Sequence, residues 1–307
     1  MNINREHLQH ELVANNDIYT RLMPLLSLLN HTEELLSHTV DALSNHPLQG
    51  AATKVGFLFI TRLENDIRAC SLLSQSGYGL QAQVNAATIV EIVGALSYIG
   101  QDENRAINWA QHTDKKHSYP PHSADGINAT LDALEISDSY VRESWHKAYT
   151  FMCMAKHVNP ILSLNYGLRL LPTGEAYIRG PDDSDQGILL SAKALYNAIF
   201  FGTSGIYVAS THCSDSSIKN QLRTNAIEIL KHLFDLEPWF REVTSIRSLD
   251  TLPEAQREFD ERLVNSLEKA TKALVEDTER IRLKTEILNK ETKRIRRETR
   301  FLRKLKR

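Results

Sequence analysis

A chain of 307 residues, 42% hydrophobic and 24% charged, is long enough for one large or two medium domains and can bury a sizeable core, which excludes a wholly disordered polymer. Three cysteines, Cys70, Cys153 and Cys213, are too far apart to define a disulfide framework or a zinc knuckle. The formal net charge of −2 hides a division: from Glu279 to Arg307 thirteen basic residues stand against four acidic ones, so residues 1–278 carry eleven excess negative charges.

Residues 5–29 place Leu8, Leu12, Leu22, Leu25, Leu26 and Leu29 at helical spacing, with a break or kink expected near Asn15–Asp17 and Pro24. A short helix is then expected from Thr32 through Leu43, with Glu33 and Glu34 suiting its positive N-terminal end. Asn45-His46-Pro47 would end it. A helix over Ala51–Ser74 presents Phe57, Ile60, Leu63, Ile67 and Leu72, and Gly77–Gly79 reads as a turn. Leu80–Ile99 is apolar around nearly its whole circumference, the pattern of a helix buried on all sides. Glu91 lies in its middle, with Ala87, Gly94 and Ala95 on the same face. A carboxylate buried there has to be paired or protonated, and the small residues would admit a neighbouring helix that pairs with it.

Glu103–Lys115 reads as another helix, followed by a loop over Lys116–Gly126 that contains Pro120-Pro121. His112, His117 and His122 recur every five residues, which does not hold them on one helix face; a solvated loop explains them better than a metal site. Ser137 or Asp138 is placed to cap a helix that ends at Asn159-Pro160. Arg142, His146, Tyr149, Cys153 and His157 line one face of that helix, and Trp145, Ala148, Met152 and Ala155 the other. Two histidines and an arginine so aligned could bind an anion or act as acid and base on a phosphodiester. The alternative is a polar seam satisfied by Glu91 and nearby backbone. Leu168–Leu171, a Pro172-Thr173-Gly174 turn and Tyr177–Arg179 suggest one short β-hairpin. Helices follow over Ser184–Thr211 and Ser216–Phe234, with a break at Glu237-Pro238. The most apolar run, Ala192–Ser210, contains Lys193 and Asn197 and fits a buried helix better than a membrane span. Met1–Gln9 lacks a signal-peptide core, so a cytoplasmic protein with no membrane partner is expected.

After Pro253 the chain acquires a new period. Leu267, Leu274, Ile281, Leu288, Ile295 and Leu302 are seven apart, and Thr271, Thr278, Thr285, Thr292 and Thr299 keep the same interval between them. Such a repeat specifies a helix that supercoils against copies of itself or a similar helix. With the threonines at a and the Leu/Ile series at d, parallel association pairs Asp277 with Arg282, Glu291 with Arg296 and Glu298 with Arg303. Each exposed pair adds only about 0.2–1 kcal/mol, yet all three are attractive. Leu283, Ile287 and Phe301 fall outside the seam and leave open a single amphipathic helix lying on its own body. The basic residues suit an arm for nucleic acid or an acidic protein, or the solvated exterior of the coiled coil.

Gly79-Leu80-Gln81-Ala82 through Ala87-Thr88-Ile89-Val90-Glu91, then Tyr149 and Lys156-His157-Val158-Asn159-Pro160, resembles a bacterial helical family of unknown function grouped with HEPN-like domains. The resemblance covers roughly residues 50–215. It implies a buried glutamate late in one helix, facing the region of His157 at the end of another. It also implies dimeric proteins of toxin–antitoxin or antiphage systems. Two departures stand against the nuclease pattern. Ala87 replaces an arginine common four residues before the glutamate, and Arg142 and His146 have three residues between them where the catalytic members have four to six.

The expected fold is all-α: an antiparallel bundle over 1–250, its HEPN-like core near 50–215, one short β-hairpin, and a long coiled-coil helix over 251–307. The expected function is an oligomeric scaffold or regulatory protein that assembles through the tail. The alternatives are a metal-independent ribonuclease with Glu91, Arg142, His146 and His157 as candidate catalytic residues, and nucleic-acid binding by the tail. No cofactor is expected, since no phosphate-cradling glycine loop, nucleophile elbow or zinc-protease helix is present.

Overall fold

The computed structural model describes residues 3–45, 47–113, 121, 123–157, 168–171, 174–177, 181–182, 184–236 and 238–240, with side chains from residue 16 onward outside the strands and Ser123. The chain divides into Met1–Ile246 and Arg247–Arg307, and every described residue belongs to the first unit. The heptad segment lies outside the described residues.

The class is all-α. Helices α1 (Ile3–Ser44), α2 (Ala51–Gln75), α3 (Gly79–Tyr98), α4 (Glu103–Ala110), α5 (Ser123–Ala133), α6 (Ser139–Lys156), α7 (Asp185–Ala209) and α8 (Ser216–Asp235) account for most of the described chain. A 3-10 turn, Ser210–His212, extends α7. Strands β1 (Leu168–Leu171) and β2 (Gly174–Tyr177) pair antiparallel, with Leu168 opposite Tyr177 and Leu171 opposite Gly174.

Ile3–Ser44 forms one helix of 42 residues, not the two expected. Pro24 lacks the N–H that would bond the Thr20 carbonyl, a loss of about 3 kcal/mol in a helix interior. Leu22, Leu25, Leu26 and Leu29 surround it and are at most 1% exposed. Burying each contributes about 1.5–3 kcal/mol, which offsets the proline. Thr32 does not cap a second helix. It is buried mid-helix, and its hydroxyl donates back to the Leu28 carbonyl at 3.0 Å.

Helices α2 and α3 are joined by Ser76, Gly77 and Tyr78 alone, so their packing is antiparallel. Gly77 has φ +75°, and a Cβ there would stand 2.8 Å from both Ile18 Cδ1 and Pro181 Cβ. At its other end α2 borrows a cap: both carboxylate oxygens of Glu103 accept from the backbone, one from Ala51 N–H at 2.6 Å and one from Ala52 N–H at 3.0 Å. These bonds hold the Glu103 carboxyl below the usual carboxylate range. Leu72, expected on the packed face, is 60% exposed.

Helix α3 touches α2, α5, α6 and α7, as a helix apolar on all sides must. Helix α7 is buried throughout Gly187–Ile206 except at Lys193 and Tyr196. Phe200 and Phe201 are its largest fully buried side chains, and Trp145 of α6 stacks on Phe200 with ring centroids 3.7 Å apart. Among the described residues no helix is long and apolar enough to cross a membrane.

Several boundaries differ from expectation: β2 begins at Gly174, inside the expected turn, and α6 ends at Lys156, short of Asn159. Helix α4 stops at Ala110 and not Lys115, because nothing apolar follows Trp109 and Gln111, His112 and Thr113 are all exposed. Helix α5 replaces part of an expected loop. It buries only Gly126, Ile127, Thr130 and Leu131, too few apolar positions for periodicity to reveal. Its Gly126 crosses α3 at Gly94, where a Cβ on either glycine would lie 2.9–3.0 Å from the other's Cα.

Candidate functional site

Helix α6 starts where Asp138 accepts the Val141 N–H at 2.9 Å. It ends at Lys156, with His157 as C-cap donating its N–H to the Cys153 carbonyl. Trp145, Met152 and Ala155 are its buried residues. The polar face splits between two neighbours.

The first half turns to α5. Arg142 donates through Nη1 to the Ile136 carbonyl at 2.7 Å, and through Nη2 to Asp132 Oδ1 at 2.8 Å and Asn128 Oδ1 at 3.3 Å. His146 Nε2 lies 3.1 Å from the same Asn128 oxygen, so the amide accepts a second bond and fixes the proton of a neutral His146 on Nε2. Asp132 neutralises the guanidinium. An anion reaching Arg142 would have to displace it.

The second half turns to α3. Tyr149 donates its hydroxyl to Glu91 Oε1 at 2.9 Å, and Lys156 Nζ donates to both Glu91 oxygens at 2.8 and 2.7 Å. The Glu91 side chain keeps 38% of its exposure and Lys156 29%, which corrects the expectation of a fully buried carboxylate. Tyr149 and Lys156 cover one side of it while the other is open to solvent. Its cation is Lys156, one residue before His157.

The four candidate catalytic residues therefore do not form one constellation. Arg142 and His146 share Asn128, Glu91 sits with Tyr149 and Lys156, and His157 is exposed at the helix end with no side-chain bond among the described residues. Cys153 is a free thiol on the same helix. Sequence reasoning missed three partners. Lys156 follows Tyr149 by seven residues and so shares its face, a signal that was present. Asn128 and Asp132 are one turn apart on α5, and their role could not be read without that helix.

His112 is exposed, and His117 and His122 lie outside the described residues. Among the described residues no group of three or more His, Cys, Asp or Glu side chains is gathered that could hold a metal ion. No protein-family model matches the chain, and neither a curated protein nor a solved structure matches it.

Proposed function

We propose that the protein is a helical scaffold or regulatory protein that associates with copies of itself through the heptad segment at its C-terminus. The observation that carries this reading is the unbroken spacing from Leu267 to Leu302, with parallel charge pairs beside it. The condition of the body supports it. Glu91, Arg142 and His146, the groups with most chemical potential, are engaged in bonds that tie α6 to α3 and α5, which is what a rigid scaffold requires. The ribonuclease alternative draws less support, since its four residues fall into separate places. The HEPN-like resemblance is compatible with a dimeric helical body in a defence or toxin–antitoxin setting.

Light scattering of the full chain tests the proposal. The wild type should run at a whole multiple of 34.9 kDa. The double variant Ile281→Lys, Leu288→Lys puts charge into two consecutive d positions and should return to the single-chain mass with unchanged near-ultraviolet ellipticity, since every Trp and Tyr lies before residue 250. A wild type that is monomeric at tens of micromolar would end the proposal.

A further inference from the structure

Helix α7 is buried along its middle five turns except at Lys193 and Tyr196, three residues apart and hence on one face. Both open onto a cavity of about 590 Å³ between α6, α7 and the end of α8, walled by Trp145, Phe151, Phe234 and Phe240. That volume is in the range of small-molecule sites, roughly 300–1,000 Å³. The rim is apolar as well: Tyr140 is 77% and Phe234 45% exposed, an arrangement that gains nothing in water.

Among the described residues the cavity lining includes Lys147 and Lys193 and no acidic residue. Lys147 is committed to Glu143 at 2.8 Å. Lys193 forms no ion pair among the described residues; its ammonium lies 4.8 Å from the centre of the Phe151 ring. Burial pushes the Lys193 ammonium below the usual lysine range, the sign of a cation short of water and of a counter-charge. A half-buried lysine in an aromatic cavity is costly unless something anionic completes it.

We propose that this cavity binds a small carboxylic acid with an apolar, ring-sized body, its carboxylate on Lys193 Nζ and its body between the aromatic walls. One cation favours a monoanion, because a phosphate dianion would leave a charge uncompensated where water is scarce. Stacking walls favour a planar body over a chain. The site is independent of tail association, so either idea can fail without the other.

The test uses the full chain and isothermal titration calorimetry with 2-naphthoate, indole-3-acetate and benzoate, each against its neutral amide. At least one acid should bind with one site per chain and at least tenfold more tightly than its amide. Lys193→Met, which keeps the stem and removes the charge, should abolish the preference for acid over amide while melting no lower than the wild type. Ala148→Trp fills the cavity from α6 and should remove binding of both. Raising the pH past the lowered lysine value should weaken the acid and leave the amide unchanged. No acid binding below millimolar concentration, equal affinity for acid and amide, or a preference that survives Lys193→Met would each overturn the proposal.

Discussion

Glu91, Tyr149 and Lys156 show why a polar group inside an apolar helix needs its partners named. The carboxylate takes three bonds, two of them from an ammonium, and hydrogen bonds to charged groups contribute about 1.5–3 kcal/mol each when desolvated. Partial exposure reduces that. Lys156→Met should cost about 1–2 kcal/mol in urea unfolding, and the double variant with Glu91→Gln should cost less than the two singles summed. Strict additivity would show that the pair contributes nothing. His212 is a second residue with a legible consequence. Gln101 Oε1 accepts from Thr211 at 2.7 Å, which turns the Gln101 amide nitrogen toward His212 Nε2 at 3.0 Å. Burial lowers the His212 pKa, which favours the neutral imidazole whose ring nitrogen can accept that bond. A depressed histidine contributes stability that is full above the unfolded value, about 6.5, and is lost as the pH falls toward the folded value. The stability gap between wild type and His212→Gln should therefore narrow from pH 7.5 to pH 5. A gap that stays constant would mean the ring is not held neutral.

At the scale of elements, packing overrode local preference twice. Pro24 should have divided α1, and the burial of leucines on both sides of it kept the helix whole. Helix α5 carries few apolar residues, and it persists because Gly126 lets it lie backbone to backbone against Gly94 of α3. Substituting Gly94 tests this with opposing effects of known sign. Alanine gains about 1 kcal/mol of intrinsic helix preference. Its methyl would meet Gly126 Cα at 2.9 Å, and backbone cannot step aside as a side chain can. Overpacking of this kind costs about 1–3 kcal/mol, so Gly94→Ala should lower the urea midpoint. A raised midpoint would mean that the crossing has slack. Loss of this crossing would also move Asn128 and Asp132 away from Arg142 and His146, which links the geometry of α6 to two glycines.

At the scale of the whole molecule, α3 and α7 are the shared centre. Helix α3 packs on α2, α5, α6 and α7, and α7 on α1, α2, α3, α5 and α8; between them they hold much of the apolar volume. Both were plain in the sequence, since a helix without a polar face has nowhere to go but inside. The same holds for the all-α class, for the cap at Asp138, and for the packed side of α6 at Trp145, Met152 and Ala155. Each is set by neighbours within about a turn or two, and periodicity records them directly. The tail's seven-residue interval is equally a property of the sequence, and the association it implies awaits the scattering measurement. Tertiary structure alone decided which polar groups meet. Glu91 found Lys156, Arg142 found Asp132, and Lys193 was left facing a cavity, because those outcomes depend on how distant helices cross. A crossing is fixed by the fit of many side chains at once, and no local stretch of sequence contains it.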